Sequence, residues 1–207
     1  MGRKEVIHTN KTKELRAINN SGFKIETRSE DNVTQLSGYA IVFDQPSENL
    51  GGFIEYIDRN ALNGVDLSNV QLLYNHNFDN ILARADSNTL SLSIDDKGLF
   101  FNAQIPNTTI GNDVAENVRC GNLKGCSFGF TISGNSWDDL DADTSIRHIT
   151  QIDELYELSI TPLPAYQETT VSQRSLDEFS NEKTNVKDSS LLDELELFRM
   201  ELELEDE

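Results

Sequence analysis

Asn122-Leu-Lys-Gly-Cys-Ser-Phe-Gly-Phe-Thr-Ile-Ser-Gly134 carries a small-residue approach straight into an alternating apolar segment, with Ser127 at the junction. Period-two alternation of this kind marks a strand. Glycines at 125 and 129 let the backbone pack closely around one hydroxyl, and neighbouring N–H groups are suited to receive an oxyanion. Ser127 therefore reads as a nucleophile. The competing reading is a strand that opens after a loop and carries a serine incidentally, since serine beside glycine is ordinary turn chemistry. The rest of the chain decides between them.

Working outward, residues 107–121 change period: Ile110, Val114 and Val118 recur every four positions, Asn112 or Thr109 is placed to cap, and Gly121 to end the helix. On the other side, Trp137 to Thr144 holds Asp138, Asp139, Asp141 and Asp143, which lack the glycine and glutamate positions of an EF-hand and read as a solvated acidic loop. Ile146–Thr150 and Glu154–Thr161 read as the last strands, stopped by Pro162 and Pro164. Upstream, strand patterns cover Phe23–Arg28, Thr34–Phe43, Phe53–Ile57, Val70–Tyr74, Ile81–Ala85, Thr89–Ile94 and Leu99–Ile105, with Asp95-Asp-Lys-Gly98 as a hairpin turn and Asp58–Asn63 as a short capped helix. The expectation is a mainly β chain with a few helices.

Length and charge set the frame. The 207 residues suffice for one domain of about 150 residues with tails. Residues 1–21 read as a flexible leader, 22–175 as the domain, and 176–207 as a tail. That tail holds a polar linker and an amphipathic helix from Ser189, with Leu191, Leu195, Phe198 and Leu202 at helical spacing. With 36 acidic and 17 basic residues the net charge is −19, which argues against nucleic acid and anionic membrane as partners. No apolar run approaches the roughly 20 residues that span a bilayer. Cys120 and Cys126 stand too close to suggest a disulfide framework, which points to a reducing cytoplasmic setting. Neither the cysteines nor the three scattered histidines have paired metal-ligand spacing, so no metal or other cofactor is expected.

Acyl transfer by a hydroxyl needs a base, a polar group to orient that base, and donors for the oxyanion. Ser127 is the candidate nucleophile and His76, which follows the apolar run Val70–Tyr74 after Asn75, is the candidate base. For the orienting group three residues compete: Glu157, His148 and Asp153. Sequence spacing leaves all three open. Cys126 is a rival nucleophile, but in an alternating strand it points away from Ser127.

Four segments in order, Leu36-Ser-Gly-Tyr-Ala-Ile-Val-Phe43, Val70-Gln-Leu-Leu-Tyr-Asn-His76, Gly125-Cys-Ser-Phe-Gly-Phe130 and Glu154-Leu-Tyr-Glu-Leu-Ser-Ile-Thr-Pro-Leu-Pro-Ala-Tyr166, resemble the prohead proteases of tailed bacteriophages over roughly 23–175. Leu158 and Ile160 replace the frequent valines of that pattern conservatively. The resemblance implies a serine endopeptidase with His76 and Ser127 as its histidine and serine and Glu157 as the third member, with His148 as the alternative by likeness to herpesvirus maturation proteases. It also implies a closed or partly open β-barrel flanked by helices. The implied partners are protein substrates, namely the major capsid protein, the scaffold and the protease itself, with a possible homo-oligomer. The implied place is the assembling procapsid in the host cytoplasm, and the alternative is a catalytically silent barrel with a structural role there.

Overall fold

The structure, a computed structural model, describes residues 4–7, 13–18, 22–27, 33–140, 143–162 and 179–184. Its strands in chain order are β1 (Lys4–Ile7), β2 (Glu14–Ile18), β3 (Lys24–Thr27), β4 (Thr34–Val42), β5 (Phe53–Ile57), β6 (Gln71–Tyr74), β7 (Asn77–Arg84), β8 (Leu90–Ile94), β9 (Gly98–Ile105), β10 (Gly125–Asp138) and β11 (Ser145–Thr161). Helix α1 (Thr109–Arg119) precedes β10, and a short helix, α2, covers 179–184.

The antiparallel pair β10 and β11 forms the spine, running from Gly125 opposite Thr161 to Asp138 opposite Ile146. Two strands expected at 146–150 and 154–161 are thus one. Irregularities in the register, such as those between Gly129 and Phe130 and between Ile132 and Gly134, let the long strands bend without ending. Around this spine lies a seven-stranded sheet of order β1-β10-β11-β6-β7, with β2 also on β10 and β5 on β11. Strands β5 and β6 both pair with β11 in parallel. A second sheet has the order β3-β4-β9-β8.

One apolar core joins the sheets: Leu36 and Ile41 of β4, Leu99, Phe101 and Ala103 of β9, and Leu72 of β6 pack with Cys126, Phe128 and Phe130 of β10 and Leu158 and Ile160 of β11. Helix α1 adds Val114 and Val118 to it. A smaller cluster of Leu50, Phe53, Trp137, Leu140 and Phe179 seats α2 against the end of the spine. Of the closed or partly open barrel that was expected, the closed form is not found among the described residues, which make two sheets. Inward and outward residues alternate alike in barrels and in stacked sheets, so strand patterning does not separate the two.

Other differences are local. Lys4–Ile7 and Glu14–Ile18, placed by sequence in a leader, are strands β1 and β2 on the edge of β10. Residues 58–63 make successive turns rather than a helix, with Ala61 N–H donating to the Asp58 carbonyl at 2.9 Å. The cap of α1 is Thr108, whose side chain accepts from Gly111 N–H at 3.1 Å. Helix α2 lies where a polar linker was expected, and the amphipathic helix expected from Ser189 lies outside the described residues. No helix among the described residues is long and apolar enough to cross a membrane.

Candidate active site

Residues directly opposite in an antiparallel pair share a face, as do residues two apart on one strand. Ser127 stands opposite Ser159 and Gly129 opposite Glu157, so all four lie on one face of the spine. Cys126, Phe128 and Phe130 take the other face and fill the core. Ser127, Glu157 and Ser159 are each fully buried.

His76 reaches this face from a tight turn. Tyr74 pairs with Asn77 across β6 and β7, leaving Asn75 and His76 as the linking residues, both left-handed at φ 54° and 59°. Positive φ at both central positions is the type I′ pattern, which matches the twist of a hairpin. Asparagine and histidine are among the side chains that tolerate this region best. The backbone N–H of His76 donates to Ser159 Oγ at 3.0 Å, and Asn75 N–H donates to the Ile160 carbonyl at 3.1 Å, so β11 holds the turn in place.

The ring of His76 then meets Glu157: Nδ1 lies 2.8 Å from Oε1. Ser159 Oγ donates to the other carboxylate oxygen at 2.6 Å. An ionised carboxylate only accepts, which assigns the imidazole proton to Nδ1 and leaves Nε2 with its lone pair. Nε2 is buried and has no hydrogen-bond partner among the described residues. A basic nitrogen held this way suits proton transfer to and from a group placed at its tip.

Ser127 itself is engaged elsewhere. Its Oγ donates to the backbone carbonyl of Arg16 on β2 at 2.8 Å. The hydroxyl and His76 share a face without a hydrogen bond between them. Gly129 is needed beside them, because a Cβ there would stand 2.7 Å from Glu157 Oε1 and 2.7 Å from Lys13 Cε.

The two competitors for the orienting position sit apart from His76. His148 Nδ1 lies 2.8 Å from Asp58 Oδ1, its Nε2 lies 3.6 Å from Asp138 Oδ2, and its ring stacks on Tyr56. Asp153 Oδ2 lies 3.5 Å from Thr131 Oγ1. Cys126 is fully buried, and that burial, with the Glu157 charge adding to it, pushes its thiol far above the usual range. A thiol so disfavoured as thiolate is a poor nucleophile. Ser159 was missed by sequence reasoning, though its signal was present: two places after Glu157 in a strand, it had to share that residue's face.

The sequence profile of the caudovirus prohead serine proteases matches residues 23–182. The chain belongs to that family. This prohead protease family member is also similar in structure to the capsid assembly protease gp21 of bacteriophage T4, at 11% identity and a TM-score of 0.48, over 74% of this chain and 99% of that one. No curated protein matches it.

Proposed function

We propose that this prohead protease family member is a serine endopeptidase of capsid maturation, with Ser127 as nucleophile, His76 as general base and Glu157 as the group that orients it. The observation that supports this most is the Glu157–His76 contact at 2.8 Å, which leaves a buried, unpartnered Nε2 on the face that bears Ser127.

For the reaction, the Ser127 hydroxyl turns from the Arg16 carbonyl to His76 Nε2, a change of side-chain rotamer. Oγ attacks the carbonyl carbon of the scissile peptide bond as its proton passes to Nε2. Glu157 stabilises the imidazolium across Nδ1. The proton then goes to the leaving amine as the C–N bond breaks, and water hydrolyses the ester by the same route in reverse. Glu157 is fully buried and keeps a second bond from Ser159, so its carboxylate is fixed before the charge develops.

The substrates we assign are the scaffold or the scaffold-like N-terminal segment of the major capsid protein, and the protease itself. The protease domain is 22–175, and the acidic tail 176–207, twelve acidic against three basic residues, joins it to scaffold helices within the procapsid of the host cell. Co-expression with the cognate capsid protein tests the activity. Wild type should shorten the capsid protein, and Ser127→Ala or His76→Ala should leave it full length, a loss of at least about a thousandfold in rate. Full-length capsid protein with all three forms would instead mark a silent structural component.

A further inference from the structure

The bond from Ser127 to Arg16 has a context. Strand β2 lies antiparallel on the free edge of β10, with Ala17 opposite Ser127, Arg16 opposite Phe128 and Leu15 opposite Gly129. Extended peptides bind proteins by adding a strand to such an edge, with main-chain bonds giving affinity and alternate side chains giving specificity. Here the main-chain group that meets the nucleophile's hydroxyl is the carbonyl of the Arg16–Ala17 peptide bond, at 2.8 Å.

The alternate side chains Glu14 and Arg16 bond to each other, Arg16 donating to Glu14 Oε2 at 2.6 Å, and each also meets a partner from the rest of the chain. Arg16 donates from Nε to Glu55 Oε1 at 2.6 Å and from a terminal nitrogen to Glu55 Oε2 at 2.9 Å, a two-pronged carboxylate contact. Glu14 accepts from both terminal nitrogens of Arg147, at 3.0 and 3.3 Å. On the site face, Lys13 Nζ stands over the rings of Phe78 and Tyr156 at 5.1 and 5.4 Å. Lys13 and β2 lie outside the span 23–182 that the family profile matches, whereas the partners that hold them, Glu55, Phe78, Arg147 and Tyr156, lie within it.

We propose that Glu14–Ile18 occupies the substrate strand position of this chain as an internal peptide that withholds Ser127 from His76. The inference rests on the serine protease reading. The site accepts an extended segment with a carboxylate two places before a guanidinium, met by Arg147 and Glu55 respectively. Departure of β2 takes Glu14 and Arg16 out together and leaves Arg147 facing Glu55, a balanced pair, so the segment can leave without stranding a net charge.

The test places a recognition sequence for a site-specific protease between Ile18 and Gly22 of the full chain. The folded protein is cut and the freed segment washed away. A fluorophosphonate then reports the rate of Ser127 modification, mapped by mass spectrometry. Reactivity scales with the fraction of competent sites, so a state blocked about nine times in ten gains about tenfold on release. A synthetic peptide of residues 12–20 should restore the slow rate, and the same peptide with Glu14 and Arg16 exchanged should not. Uncut Arg16→Gln, which weakens the hold of Glu55, should react faster than wild type. Equal rates before and after release, or loss of the cooperative melting transition on release, would overturn the proposal by making β2 an ordinary structural strand; modification in the uncut protein would leave the protease reading standing. A Ser127 inert in every form would overturn both.

Discussion

At the scale of single side chains, three hydrogen-bonded residues, His76, Glu157 and Ser159, carry the proposed positioning of the base, and Ser159 is the one with two tasks. Its hydroxyl proton goes to Glu157 Oε2 and its lone pair to His76 N–H, so one oxygen fixes both the carboxylate and the turn that carries the proposed base. Removing a hydrogen bond to a buried charged group costs about 1.5–3 kcal/mol. Ser159→Ala should therefore lower kcat roughly tenfold to a hundredfold with KM little changed, because the loss falls on imidazolium stabilisation rather than substrate binding. Steady-state kinetics on a peptide substrate would check this, and a change confined to KM would refute the positioning role. The cysteines give a second check. Cys120 is exposed and Cys126 buried with its thiol pushed up. Iodoacetamide at mildly alkaline pH should alkylate Cys120 alone and leave capsid cleavage intact; alkylation of Cys126 with loss of cleavage would reopen the choice of nucleophile.

At the scale of elements, the β6–β7 turn decides whether His76 faces Glu157. Asn75 adopts φ 54° there, which a β-branched side chain resists by about 1–2 kcal/mol. Asn75→Val should lower stability by that amount and reduce activity further, whereas Asn75→Gly should retain both; urea midpoints and cleavage rates measured side by side would check it, and an Asn75→Val protein equal to wild type would refute it. This turn also shows what the sequence allowed one to read. The strand after Val70 and the strand around Ser127 were legible because both follow period-two patterning. That Glu157 rather than His148 or Asp153 would meet His76 was not legible: it depends on β11 running unbroken past residues 151–153 and on register irregularities opposite Thr131 and Ile132, which are long-range consequences of pairing. Strand β2 was missed for a related reason. Glu14-Leu-Arg-Ala-Ile18 carries two charges that look solvated in sequence, and both are buried by partners far along the chain.

Those partners belong to the whole molecule. Glu14 of β2, Glu55 of β5 and Arg147 of β11 meet Arg16 in one buried cluster, with Arg147 fully buried and Glu55 3% exposed. The cluster ties β2 to β5 and to β11 of the spine, so its balance of two cations and two carboxylates bears on global stability. Desolvation works against the charge on Arg16, but the attraction of Glu55 and Glu14 outweighs it and holds the guanidinium more firmly protonated than usual. Arg147 has no local escape comparable to that of β2, because it sits mid-strand opposite Trp137 with its guanidinium 5.6 Å from that ring. Arg147→Met should leave two buried carboxylates to one arginine and cost about 3–5 kcal/mol, the usual penalty for removing one partner from a buried ionic group. Pairing it with Glu55→Leu restores the count of one cation to one carboxylate, so the double variant should be more stable than the sum of the single losses implies. Urea unfolding of the three variants would measure this coupling, and additive losses would show that the cluster contributes to the fold through packing alone.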